Sequence, residues 1–216
     1  LGVELIQQEI ERSHVQSRQR GIVHPEVEIV QVWSQVLQEL ARKGVVDKEE
    51  WEEGEVRRLA SEYEGRVNPV WPMPGLRRCL DFLRSQRLVL GIVSNAQFYT
   101  PSLFGALLGK PAEAFGFDPD LQYYSYLFGQ AKPGTELHRM AARALAERDI
   151  GPEQVLYVGN DMLNDVLPST QVGFRSALFA GDRRSLRWRR DHPQVRGVSP
   201  NVVLTRLVDL NGRVID

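Results

Sequence analysis

The sequence predicts an α/β protein: a Rossmann-like, mostly parallel sheet covered by helices, plus a small all-helical unit. Residues 1–66 carry helical periodicity and no good strand. A Pro- and Trp-rich connector follows, and beyond it short apolar runs alternate with helical stripes.

In the first part, Val3, Ile6 and Ile10 mark one helical stripe. Ile29 or Val30, Trp33, Val36 or Leu37, and Leu40 mark a second, and Val56, Leu59, Ala60 and Tyr63 a third. Gly21, Pro25 and Lys43-Gly44 fall between them as breaks. The connector Asn68-Pro69 with Trp71-Pro72-Met73-Pro74-Gly75 cannot continue a helix. It divides the chain into a helical unit, 1–68, and an α/β unit, 69–216.

The second unit opens with a helix carrying Leu76, Cys79, Leu80 and Leu83, then the apolar strand Leu88–Val93. A weaker strand is expected within Tyr123–Phe128. A helix from Thr135 to about Arg148 buries Leu137, Met140, Ala141, Ala144 and Leu145, with Pro152 just past it. Strands at Val155–Val158, Ala177–Phe179 and Val202–Leu204 complete the series.

Composition narrows the function classes. The 216 residues are 42% hydrophobic and 25% charged, ordinary for a globular protein. A net charge of -1 argues against nucleic-acid or membrane binding by bulk electrostatics. The single cysteine, Cys79, cannot form an internal disulfide and falls at a core-facing helical position. No apolar run reaches the length of a membrane span, and no signal peptide opens the chain. The expectation is a soluble cytoplasmic protein.

The densest chemistry lies in Val155-Leu156-Tyr157-Val158-Gly159-Asn160-Asp161-Met162-Leu163-Asn164-Asp165. An apolar run ended by glycine reads as a doubly buried strand, and its carboxyl end is where open α/β sheets bind ligands. Asp161 and Asp165, at i and i+4 in a first helical turn, can share a hard cation such as Mg2+. The same acids would also suit a helix N-terminus as caps. Ser94-Asn95 closes an earlier strand with hydroxyl and amide groups that suit a phosphate or carboxylate oxygen. Lys132-Pro133 precedes a helix, where a lysine can neutralise a transferring phosphoryl group.

The order Ser94, then Lys132-Pro133, then the Gly159-Asn160-Asp161…Asp165 segment resembles the haloacid dehalogenase-like hydrolase superfamily. Pro72-Met73-Pro74-Gly75-Leu76 and Gly91-Ile92-Val93-Ser94-Asn95 are similar to segments of its phosphatases. So is Gly173 followed by Ala177-Leu178-Phe179 and Gly181. The resemblance covers 69–216 and implies that the helical unit is the cap inserted between that family's first and second motifs. It implies that Ser94, beside Asn95, holds a phosphoryl oxygen and that Lys132 balances charge. Asp161, Asp165 and Asn160 would then supply the Mg2+ site, with Asp161 favoured as the direct ligand and Asn160 and Asp165 as the alternatives. Many relatives have an acid directly after the glycine, where this chain has Asn160.

The family's first motif, an apolar strand ending in Asp-x-Asp, has no counterpart here; the earliest aspartate is Asp47, in the helical part. That motif supplies the attacking carboxylate, and its strand lies between the Ser94 strand and the Asp161 strand. Without it, central strands would hold unpaired backbone groups, each costing about 1–3 kcal/mol. The expectation is that the native protein extends roughly 10–25 residues upstream, enough for a strand of about 5–6 residues and a connection.

The implied activity is hydrolysis of a small phosphorylated metabolite through an aspartyl-phosphate. The alternatives are a non-catalytic binding or scaffold relative, and a haloacid dehalogenase, which needs no metal. The arginines at 183, 184, 187, 189 and 190 around Trp188 read as a solvated face more readily than as an anion site. His14 and His24 lack metal-ligand spacing to another His or Cys and read as surface or packing residues. Tyr123, Tyr124, Tyr126 and Phe128 are expected to pack the sheet.

Overall fold

The helices of the first part form because their apolar residues recur once per turn and meet on one side. In the computed structural model, which describes residues 2–47 and 50–212, these are α1 (Gly2–Gln19), α2 (Ile29–Arg42) and α3 (Glu53–Val67). Residues 1, 48, 49 and 213–216, assigned above to the two units, lie outside the described residues. The Glu28 carboxylate caps α2 by accepting from the Val30 and Gln31 N–H groups. Ile6, Val30, Trp33, Val36, Leu37, Val56 and Ala60 make one buried cluster, with Trp33 edge-on to Tyr63 at 5.1 Å.

One side chain from the second part, Phe98, joins that cluster, and Arg57 lies over its ring at 4.6 Å. The chain segment before α2 fastens the two parts together. His24 and Gly129 carbonyls accept from the Ala131 and Glu26 N–H groups, and Gln97 bonds Ile29 N–H, the Val27 carbonyl and Glu26.

After the connector, the elements are α4 (Leu76–Ser85), β1 (Leu90–Ser94), α5 (Ser102–Leu108) and β2 (Phe117–Tyr124). They continue with α6 (Ser125–Phe128), α7 (Glu136–Ala146), β3 (Leu156–Gly159), α8 (Leu167–Gln171), β4 (Arg175–Phe179) and β5 (Val202–Leu204). All strand pairings are parallel, as strands linked by helices require. The aromatic stretch expected as a strand is divided: Tyr123 and Tyr124 end β2, whereas Ser125–Phe128 turn into helix. The reason is Ser125, whose fully buried hydroxyl accepts from Ala96 N–H and donates to Glu26 at 2.5 Å, pulling the chain off the sheet. Tyr126 and Phe128 therefore leave the sheet, while Tyr123 and Tyr124 are buried in it.

The strands fall into two sheets among the described residues, β1–β2 and β3–β4–β5. β4 is enclosed on both sides, with Ser176, Ala177 and Leu178 wholly buried. β1 and β3 are more open: Gly91 is exposed, and Val158 is 37% exposed despite its apolar side chain. No strand pairing joins β1 to β3. A side chain does: the Tyr157 hydroxyl donates to the Val93 carbonyl at 2.8 Å. Beneath the seam α7 packs Leu137, Ala141 and Leu145 with Leu121 and Tyr123, and Val93 and Val155 join that cluster.

Candidate active site

The carboxyl ends of β1 and β3 bring the separate sequence signals into one cleft. Ser94, Asn95, Lys132, Asn160, Asp161 and Asp165 all line a cavity of about 570 Å3. Asn95 is the tie between β1 and the loop before α7. Its amide nitrogen donates to the Lys132 carbonyl at 3.0 Å, and its amide oxygen accepts from the Lys132 N–H at 2.8 Å. Ser94 makes only a long contact, 3.4 Å, to the Asn95 carbonyl.

Lys132 is held by three acceptors: Asp165 Oδ1 at 2.6 Å, the Tyr157 oxygen at 3.0 Å and the Val93 carbonyl at 3.4 Å. Burial works against its charge, but the Tyr157 oxygen and the Asp165 carboxylate outweigh it and hold its pKa above the ordinary lysine range. Burial likewise pushes the Tyr157 phenol up to about 12. The other Asp165 oxygen accepts from Asn160 N–H and Asp161 N–H, each at 2.9 Å. Gly159 is required for this. A Cβ there would collide with the Asp165 side chain, so only glycine lets that carboxylate fold back on the strand end.

Asp161 does something different. It is the N-cap of a short π-helical turn, Met162–Val166, and accepts from Leu163 and Asn164 N–H groups. Arg189 then clamps it from the far loop, Nε on Oδ1 at 3.2 Å and Nη2 on Oδ2 at 2.8 Å. Burial opposes the Asp161 charge, yet these donors hold its pKa below the usual carboxylate value. Arg189 reaches it with a backbone in the left-handed region, φ 52°.

A shared cation between Asp161 and Asp165 therefore does not fit these side chains as they stand. One Asp165 oxygen is engaged by Lys132 and the other by the Asn160 and Asp161 N–H groups, and both Asp161 oxygens by Arg189 and the cap. The Asn160 amide nitrogen donates to the Ser185 carbonyl at 2.6 Å instead of facing a partner acid. No group of three or more metal-type ligands exists among the described residues. The turn is π-helical rather than α-helical: Asp161 stays outside it as a cap, and Asp165 bends back to the strand.

Sequence reasoning missed five residues at or behind the cleft: Arg184, Arg187, Arg189, Tyr157 and His138. Arg184, Arg187 and Arg189 line the cleft together with Asp182, so part of the arginine run faces the site. Tyr157 was legible only as a polar group in an apolar strand. His138 is wholly buried behind Tyr157, ring centroids 4.6 Å apart, and neither ring nitrogen has a partner among the described residues. Burial, then the nearby Lys132 charge, pushes His138 down to about 3. Cys79 is a packing residue, buried with Sγ 3.3 Å from the Leu207 carbonyl. His24 contributes its backbone carbonyl to the tie between the two parts.

No family model and no curated protein matches the sequence. Solved structures do match. A 2-haloacid dehalogenase from Pseudomonas syringae pv. tomato DC3000 aligns at TM-score 0.60 and 20% identity, covering 99% of this chain and 80% of that one. An L-2-haloacid dehalogenase from Xanthobacter autotrophicus, with chloropropionic acid covalently bound, aligns at TM-score 0.57 and 19% identity, covering 99% and 85%. A predicted phosphoglycolate phosphatase from Haemophilus somnus 129PT aligns at TM-score 0.56 and 16% identity, covering 90% and 79%. No helix among the described residues is long and apolar enough to cross a membrane. With parallel strands, a helical unit ahead of them and near-complete structural overlap with these proteins, the chain has the haloacid dehalogenase-like fold.

Proposed function

We propose that the chain forms the body of a hydrolase acting on a small anionic substrate, foremost a phosphomonoester. The observation that carries this is the convergence of Ser94, Asn95, Lys132 and three arginines on one cleft at the ends of β1 and β3. Lys132 is fixed and charged there, and Ser94 and the Asn95 backbone stand at the strand end where a phosphoryl oxygen can be held. In this reading the attacking group would be a carboxylate carried between β1 and β3, two edges that are not paired with each other among the described residues. It would form an acyl-phosphate as the alcohol leaves with a proton, and water would then release phosphate.

Hydrolysis of 4-nitrophenyl phosphate tests the reading, with this chain and with a longer one carrying the residues upstream. Turnover by the longer chain, lost about a hundredfold or more in Lys132→Ala, is the expected result. Lack of turnover by both, with no phosphate binding by either, would overturn it.

A second reading, a haloacid dehalogenase, is favoured by one contact. Asp161 is neutralised by Arg189, an arrangement that suits a carboxylate substrate and needs no cation. Dehalogenases are among the structures of matching fold. Chloride release from 2-chloropropionate by the longer chain separates the two.

A further inference from the structure

A second cavity, of about 690 Å3, opens between the helical unit and the core, and it shares Asn68, Pro69, Val70, Trp71 and Asn95 with the cleft. Its volume suits a small metabolite. The two cavities differ in charge. The cleft is lined by Lys132, Arg184, Arg187 and Arg189 against Asp161, Asp165 and Asp182. The second is lined by two acids, Glu26 and Glu64, and by no cationic side chain.

Among the described residues neither acid is paired with a cationic side chain. Glu26 accepts from Ser125 Oγ, Gln97 Nε2 and Val27 N–H, all uncharged donors. Glu64 accepts from Asn68 Nδ2 at 2.9 Å. Burial and the neighbouring Glu64 and Glu26 charges hold the Tyr99 phenol above its ordinary pKa, so it stays neutral. Trp71, 63% exposed, lines both cavities. Half-buried carboxylates with aromatic faces attract an ammonium and repel a second carboxylate.

Resting on the phosphomonoester reading, we propose that the leaving group carries a protonated amine, with the phosphoryl end in the Lys132 cleft and the ammonium against Glu26, Glu64 and Trp71. The substrate class is a small zwitterionic phosphate ester.

Equilibrium binding by calorimetry at low salt tests this, using 2-aminoethyl phosphate, ethyl phosphate, carboxymethyl phosphate and orthophosphate. The expected order places 2-aminoethyl phosphate about five- to tenfold tighter than ethyl phosphate, with carboxymethyl phosphate weakest. In Glu64→Gln, which keeps shape and hydrogen-bonding capacity, that ratio should shrink toward one, with thermal melting used to verify the fold. Equal binding of the three esters, or an unchanged ratio in Glu64→Gln, overturns the amine selectivity while the phosphate site stands. Failure of all four ligands, orthophosphate included, overturns the phosphate site and the selectivity with it.

Discussion

Lys132 Nζ lies 2.6 Å from Asp165 Oδ1, with the two side chains only 8% and 7% exposed. Each ion is enclosed where water cannot compensate for loss of the other. Lys132→Ala should therefore destabilise the protein by about 3–5 kcal/mol, a signature of an orphaned buried charge. Urea unfolding measures this. A loss below about 1 kcal/mol would mean that the pair is solvated and contributes as a surface pair does.

His138 makes stability fall in mild acid. Its folded pKa, about 3, lies below the ordinary histidine value of 6.5, so below pH 6.5 the unfolded chain takes up a proton that the native ring refuses. This contribution is fully present above pH 6.5 and is lost as the pH falls toward 3. By pH 5 the loss should reach about 2 kcal/mol. His138→Leu should flatten the curve between pH 6.5 and 4 relative to the parent, in melts taken across that range.

Removing the guanidinium at Asp161 should create cation affinity. In the parent, Arg189 satisfies both carboxylate oxygens. Arg189→Ala should raise Mn2+ affinity about tenfold or more, followed by electron paramagnetic resonance of the free ion. If parent and variant bind Mn2+ alike, Arg189 does not control access to that carboxylate.

Acid weakens the same contact by a separate route. Asp161 has a depressed folded pKa, so the Asp161–Arg189 pairing stabilises the fold above the ordinary carboxylate range and is lost as pH falls through the folded value. In Arg189→Ala the part of the acid-induced stability loss that comes from this pairing should shrink, measured by thermal melts between pH 5 and about 2.

The open edges of β1 and β3 should show in hydrogen exchange. Amides of β4, held between β3 and β5 with wholly buried side chains, should exchange slowest. Those of β1 and β3 should exchange at least about tenfold faster. Uniform protection across the strands would contradict the division into two sheets.

Much of this architecture was legible from periodicity. The stripes through Ile6, Trp33 and Val56 gave the helical cluster, and the apolar runs before Ser94 and Gly159 gave the strands that hold the site. β2 was misread because its first half, Phe117-Asp118-Pro119-Asp120, lacks strand composition, and its pairing with β1 is irregular there. The helical turn at Ser125 depends on Glu26, distant in sequence and invisible to any local pattern. Arg189 reaches Asp161 from an irregular loop, where periodicity says nothing about direction. His138 was passed over on its helix because an imidazole reads as polar, yet it occupies a core position beside Leu137.

The seam between β1 and β3 also has a mechanical meaning. Elsewhere in the sheets, neighbouring strands are fastened by ladders of backbone bonds that load together. Across the seam the fastening is a tyrosine hydroxyl and a lysine on one carbonyl, Val93, with α7 packed beneath. Such a joint bears little shear and yields one bond at a time. Pulled apart or warmed, the molecule should part along this line first, β1 and β2 leaving with one half and β3 to β5 with the other.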